Sequence, residues 1–266
     1  MPAIVKPQLG FAYSHSDGEE NCKAFVDDVE LIPNKVGWQP VWLDPLLPLD
    51  PSLVECLKCS VPMPLLLQLY TPDDDQADAF HRVLYVFCCK KGSCQSIRCF
   101  RSQLPEINAT YNHGDGRLVV DSKQLQHLYC VLCGLKGRLQ CSECKTVRYC
   151  SKQHAIVHWK TGRHSEHCTS HNELSMNSKQ GLSADLQRAR KEILFPLLDI
   201  DSEEEPSVTP QVDPLLLNTV LEQDPSDALD LNEDCEETAV DVDKPFLKFQ
   251  KRVSVAPDQI LRYPAY

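Results

Sequence analysis

The sequence predicts an α+β protein: a β-rich body, a small module held together by zinc, and a long acidic segment without fixed structure. Three observations predict it. Six cysteines, with histidines among them, crowd into Cys130–Cys168. Two apolar runs rich in β-branched and aromatic residues, Pro64–Tyr70 and Phe80–Cys89, flank the turn signal Thr71-Pro72-Asp73-Asp74-Asp75. Between Asp199 and Asp243 stand 16 acidic residues and no Lys or Arg.

In chain order, residues 1 to about 30 are mixed, with Leu9-Gly10-Phe11-Ala12 as a first strand. Pro33–Leu43 follows, punctuated by Gly37 and Pro40; its two tryptophans, Trp38 and Trp42, cover the edge of a core. The two apolar runs read as buried strands joined by a hairpin loop. The first is preceded by Cys56-Leu57-Lys58-Cys59, and the second runs into Cys89-Lys90-Lys91-Gly92-Ser93-Cys94. A hairpin brings this turn back toward Cys56 and Cys59, which proposes a zinc site with four cysteine ligands at the strand ends. A redox pair at Cys56 and Cys59 is the weaker alternative, because no βαβ pattern surrounds it. Cys88 points to the opposite face of its strand and belongs to a core. Arg98–Pro105 closes this block. Residues 106–128 are polar and loop-like, with Leu118-Val119-Val120 as a short strand.

The stretch Cys130-Val-Leu-Cys133, Cys141-Ser-Glu-Cys144, Cys150 and His154, His164 and Cys168 is too short to build a core of its own. Zinc solves that problem: thiolate and imidazole are its preferred ligands, and two-residue gaps let neighbouring cysteines meet on one tetrahedral ion. Such a site contributes on the order of 10 kcal/mol of folding free energy. Eight ligands make two closed sites, which hold no water to activate and do no hydrolysis. His158 competes with His154, and His167 with His164, for a ligand position. Tyr149 and Trp159 pack against the module. The N-terminus carries no signal-peptide pattern and no apolar run approaches a membrane span, so the 14 cysteines argue for metal in a reducing compartment. In that compartment the Asn108-Ala109-Thr110 acceptor pattern carries no meaning.

After Cys168 the chain turns Ser- and Asn-rich. Ala184–Phe195 is more regular, with Leu186, Ile193, Leu194 and Phe195 as core contacts. From Asp199 to Asp243 the one-sided charge and low aromatic content predict disorder. Asp199, Glu203, Glu204 and Glu205 are partner-binding candidates, as are Leu215, Leu216 and Leu217 in Asp213–Leu221, a patch that reads either as a helix folding on a partner or as a solvated linker. Ordered structure resumes at Lys244–Val253 and Val255–Tyr263. Setting the 16 acidic charges against the net −11 leaves the remainder at +5, and zinc-bound thiolates lower that further. A nearly balanced body disfavours broad nucleic-acid binding.

The cysteine-rich stretch resembles the MYND zinc finger, whose ligand pairs interleave. The resemblance implies Cys130, Cys133, Cys150 and His154 on one zinc, and Cys141, Cys144, His164 and Cys168 on the other. His154 stands where the commonest MYND pattern has cysteine. More widely, Leu9–Ala12, Lys35-Val36-Gly37 with Trp42-Leu43, Cys56-x-x-Cys59 with Leu66–Tyr70, Phe80–Arg82 with Phe87–Cys89, Phe100–Pro105, the finger and Pro257–Tyr263 resemble, in order, the programmed cell death protein 2 family. That resemblance implies a β-rich domain split in sequence: residues 1–105, a loop 106–128, the inserted finger 130–168, a linker 169–243 and, from 244 to 266, only the start of the second half. It implies a metal site at Cys56, Cys59, Cys89 and Cys94. It also implies a role in ribosome biogenesis, in cytoplasm and nucleus, as a chaperone for a basic small-subunit ribosomal protein. The alternative is a MYND scaffold that captures proline-rich regulatory proteins in transcriptional co-repression or apoptosis. No nucleophile–base pair, phosphate-binding loop or open metal site marks an enzyme.

Overall fold

The computed structural model describes residues 7–14, 25–125, 127–168, 184–206 and 244–264. Its framework is a seven-stranded antiparallel sheet. In chain order the strands are β1 (Pro7–Ser14), β2 (Lys35–Val36), β3 (Leu65–Tyr70), β4 (His81–Cys88), β5 (Ile97–Leu104), β8 (Leu198–Glu204) and β9 (Leu261–Pro264). Across the sheet they run β5-β4-β3-β2-β8-β1-β9. The body is therefore split: β8 and β9 enter from beyond the finger to pair with β1 and β2. The finger, inserted between β5 and β8, holds the small ribbon of β6 (Leu139–Gln140) and β7 (Arg148–Tyr149) and the helices α2 (Lys152–Lys160) and α3 (His164–His167). Among the described residues no helix is long and apolar enough to cross a membrane.

The period-2 pattern decides which face is covered. Along β4, His81, Val83, Tyr85 and Phe87 are buried, while Arg82, Leu84, Val86 and Cys88 are half-buried on the other face. Over the buried face lies the segment Trp38–Leu43. Gln68, fully buried in β3, accepts the Val41 amide at 2.8 Å. The Tyr85 hydroxyl accepts from the Leu43 amide at 2.8 Å and donates to the Val41 carbonyl at 3.0 Å. These bonds hold Trp42 against Tyr85, with ring centroids 4.9 Å apart. Gly37 starts the segment at φ +72°. The chain leaving α4 (Ala184–Ile193) passes so close that a Cβ here would lie 2.0 Å from the Pro196 carbonyl oxygen, so only glycine fits.

The expected strands at Leu9–Ala12, Pro64–Tyr70 and Phe80–Cys89 lie within or close to β1, β3 and β4. Three expectations are corrected. Asp199, Glu203 and Glu204 are not in a disordered segment: they lie in β8, in register opposite Tyr13, Leu9 and Gln8 of β1, and the Glu205 amide donates to the Pro7 carbonyl at 2.9 Å. Leu198, Ile200 and Ser202 alternate with Asp199, Asp201 and Glu203, a strand period hidden under the charge. Residues 106–128 are not all loop, since α1 (Ser122–Leu125) buries Leu125 completely. Leu118–Val120 forms no strand; Leu118 makes an isolated bridge to Tyr111. Ala184–Phe195 contains α4, and Lys244–Val253 is a helix, α5. Leu215, Leu216 and Leu217 lie outside the described residues.

Candidate metal centres

All three Cys-x-x-Cys loops fold alike. The residue after the second cysteine takes a left-handed backbone: Ser60 (φ 53°), Gly134 (φ 73°) and Lys145 (φ 55°). Its amide reaches back to the carbonyl of the first cysteine, at 2.8 Å to Cys56, 3.0 Å to Cys130 and 3.2 Å to Cys141. Each turn aims two sulfurs at one point. A serine and a lysine holding positive φ carry a conformational cost that the closed turn must offset.

The turns meet further ligands to make three four-ligand clusters: Cys56, Cys59, Cys89 and Cys94; Cys130, Cys133, Cys150 and His154; Cys141, Cys144, His164 and Cys168. Within each, the four donor atoms lie within 4.8 Å of one another. A tetrahedral zinc with Zn–S near 2.3 Å and Zn–N near 2.1 Å separates its sulfurs by about 3.8 Å, and sulfur from nitrogen by about 3.6 Å. The sulfur pairs Cys59–Cys89, Cys133–Cys150 and Cys141–Cys168 are 3.7, 3.5 and 3.6 Å apart. His154 Nδ1 stands 3.6 Å from Cys130 Sγ, and His164 Nε2 stands 3.5 Å from Cys144 Sγ. Disulfides, at about 2.05 Å, are ruled out for these pairs, and the donor set fits zinc.

Local sequence places the histidines. Ser151 caps α2 by accepting the His154 amide at 3.3 Å, which starts the helix with the imidazole beside Cys150. His158, one turn later, is no ligand here: its Nδ1 faces the Tyr149 hydroxyl at 2.8 Å and its ring stacks on His164 at 4.6 Å. Burial, and then the neighbouring His164, push its pKa down to about 4, so it is neutral. His164 is the member of the second pair that joins a cluster; the His167 side chain is outside the described residues. Cys89 joins the body cluster while Cys88 faces away, half-buried. Tyr149 packs inside the finger as expected. Trp159 sets its ring edge-on to His164 yet remains 41 % exposed.

Crowded thiols cannot all ionise without a cation between them. Burial, then the contacts with Cys130 and Cys150, drive Cys133 well up, whereas Cys130, despite burial, is brought well down by Cys133, Cys150 and His154. The Ser96 hydroxyl, 3.3 Å away, leads the lowering of Cys56 to about 6. At Cys144 burial opposes ionisation, but the Thr146 hydroxyl at 3.0 Å and nearby amides bring it to about 6. Lys90 and Lys91 lie within the Cys89–Cys94 loop, where four thiolates around a divalent ion would leave a net negative charge.

Sequence reasoning missed the residues that seat the finger on the body. Gln39 Nε2 donates to the Val131 and Leu132 carbonyls at 3.2 and 2.9 Å, and Trp42 Nε1 donates to Gly134 O at 2.8 Å. Arg190, from α4, donates to Val131 O at 2.9 and 3.1 Å. Trp42 was marked as a core-edge residue but not as a finger contact, and nothing local marks Gln39 or Arg190, because these partners are backbone carbonyls 59 to 93 positions away.

The fold and these centres define a class: a zinc-finger protein whose finger is built into a split β body. The MYND finger family matches residues 130–168, and the family described as Programmed cell death protein 2, N-terminal domain, matches residues 7–116. Over 270 residues the chain is 32 % identical to Programmed cell death protein 2 of Mus musculus, covering 96 % of this chain and 72 % of that one. The Rattus norvegicus protein of the same name is 33 % identical over 283 residues, covering 99 % and 75 %. The Bos taurus protein is 33 % identical over 253 residues, covering 88 % and 68 %. No solved structure matches. The chain belongs to the programmed cell death protein 2 family. Its finger is a domain of a non-enzymatic, interacting kind, and finger and clusters together support zinc binding.

Proposed function

We propose that this protein binds three zinc ions and acts, in cytoplasm and nucleus, as a non-catalytic chaperone for a newly made, basic small-subunit ribosomal protein. The observation that carries the reading is the acidic strand β8, inside the sheet between β2 and β1. Asp201, Glu203 and Glu204 are exposed on β8, beside the half-exposed Tyr13 of β1, and further acidic residues follow to Asp243. Such a surface attracts a client made to hold nucleic acid and shields its charge until assembly. The test is the native mass of the chain purified from its own cells, with zinc counted. A one-to-one complex with a small-subunit ribosomal protein, weakened by salt and by Asp201→Lys with Glu203→Lys, supports it. A complex indifferent to both changes counts against it.

A second reading is a MYND scaffold for proline-rich regulators of co-repression or apoptosis. The exposed Ile156 and Trp159 of α2 favour it. It requires that Trp159→Ala remove the main partner while the β8 variant keeps it.

A further inference from the structure

The last turn of α4 and the residues just after it reach in two directions. Toward the body, Lys90 Nζ donates to the Leu194, Glu192 and Lys191 carbonyls at 2.7, 3.0 and 3.3 Å. Lys90 sits between ligands Cys89 and Cys94. Toward the finger, Arg190, 2 % exposed, donates to the carbonyl of Val131, between ligands Cys130 and Cys133, and its guanidinium lies 5.9 Å from the centre of the Trp38 ring. Glu192 accepts the Thr161 hydroxyl at 2.8 Å, at the end of the helix that carries His154, and the fully buried Ala189 faces Gly162. A cleft of about 220 Å³ between the two centres is lined by Cys59 and Cys89 of one, His154 of the other, and Ile193.

We propose that α4 couples the Cys56–Cys59–Cys89–Cys94 centre to the Cys130–Cys133–Cys150–His154 centre, so that the two hold and lose zinc together. Carbonyls at a helix C-terminus need donors, and a lysine there also complements the helix dipole. Lys90 serves only while its loop is closed on a metal. When that loop opens, α4 loses its cap, and Arg190 and Ala189 lose the seat that holds the Cys130–Cys133 turn and α2 against the body. Opening the first finger centre acts in reverse, since coupling between two sites is reciprocal. The Cys141–Cys144–His164–Cys168 centre is the internal reference, because α4 meets it only beside His164, through the long Arg163–Asp185 ion pair at 3.9 Å and the approach of Ala189 to Gly162, and touches neither of its cysteine turns among the described residues.

The proposal rests on the three-zinc reading, so the native mass of the full chain comes first. A count of two, with the body centre empty, overturns that reading and the coupling with it. With three zincs bound, release to a colorimetric chelator is followed over time, and cadmium-113 resonances, assigned with single-ligand variants, identify the centres. Lys90→Met and Arg190→Gln keep all twelve ligands. Each is expected to weaken zinc binding at both coupled centres by about tenfold, seen as faster release, with less than twofold change at the reference centre. Cys56→Ser with Cys59→Ser should do the same to the first finger centre. Release at the wild-type rate in Lys90→Met and Arg190→Gln, or equal acceleration at all three centres, overturns the coupling alone.

Discussion

The two centres of one finger live in different surroundings. Cys130, Cys133, Cys150 and His154 are all buried, in a core that runs without a break from Leu132 and Leu135 through Trp38 and Trp42 to Tyr85 and Phe87. In the second centre His164 and Cys168 are buried, but Cys141 and Cys144 are only half-buried, on the turn that joins β6 to β7. The ligand chemistry is the same, three thiolates and one imidazole. The first centre is thus part of the body's core, whereas the second staples a small outer layer. A count of zinc ions would not by itself tell what each centre supports; the packing does.

The largest effect should come from the first centre. Cys133→Ser removes metal-linked stability on the order of 10 kcal/mol, comparable to the whole stability of an ordinary domain. The tryptophan near-UV signal of Trp38 and Trp42 should vanish together with that zinc. A folded, two-zinc Cys133→Ser protein would break the comparison. Next, Trp42→Phe leaves the Gly134 carbonyl without its donor and thins the seam between finger and body. It should cost about 2 kcal/mol in urea unfolding, with a single transition retained. Cys144→Ser should lose one zinc and the protection of amides around β6–β7, yet move body stability by less than about 1 kcal/mol, read by hydrogen exchange. Equal loss of protection in the β3–β4 hairpin would show the two centres to be equivalent.

The smallest effect concerns the rim of the seam. Arg138 of the finger pairs with Asp50 of the body, Nε to Oδ2 at 2.9 Å. Burial pushes the Asp50 carboxyl up, but hydrogen bonds from Ser52 and Arg138 outweigh it and bring the pKa to about 2, below the ordinary 3.8. A depressed carboxylate stabilises the fold above its unfolded value and loses that contribution as pH falls toward the folded one. Arg138→Ala should therefore cost less than about 1 kcal/mol at neutral pH. The gap from wild type should close as pH drops from about 4 to about 2, in paired unfolding curves.

The cysteine pairs of the three clusters were legible because zinc-type spacing is local: two cysteines separated by two residues form a turn whatever surrounds them. The strands of the β3–β4 hairpin were legible because their apolar runs and turn lie next to each other in sequence. β8 was not, because its charges mask an alternation whose partners, β1 and β2, lie some 160 residues or more away. The choice of His154 over His158 needed the Tyr149 hydroxyl, which binds the second histidine and withdraws it. Gln39 and Arg190 left no trace, since a side chain that finds a distant carbonyl obeys no period.

The stitching of the sheet sets a timetable for synthesis. β2 has β3 on one side early, but its other edge waits for β8, roughly 160 residues later. At about 5–20 residues per second, a ribosome leaves that edge open for roughly ten to thirty seconds. β1 has neither neighbour during that interval, because both β8 and β9 are made after the finger. The finger's eight clustered residues are all made before β8 and β9, so the finger can close before the body that seats it is complete.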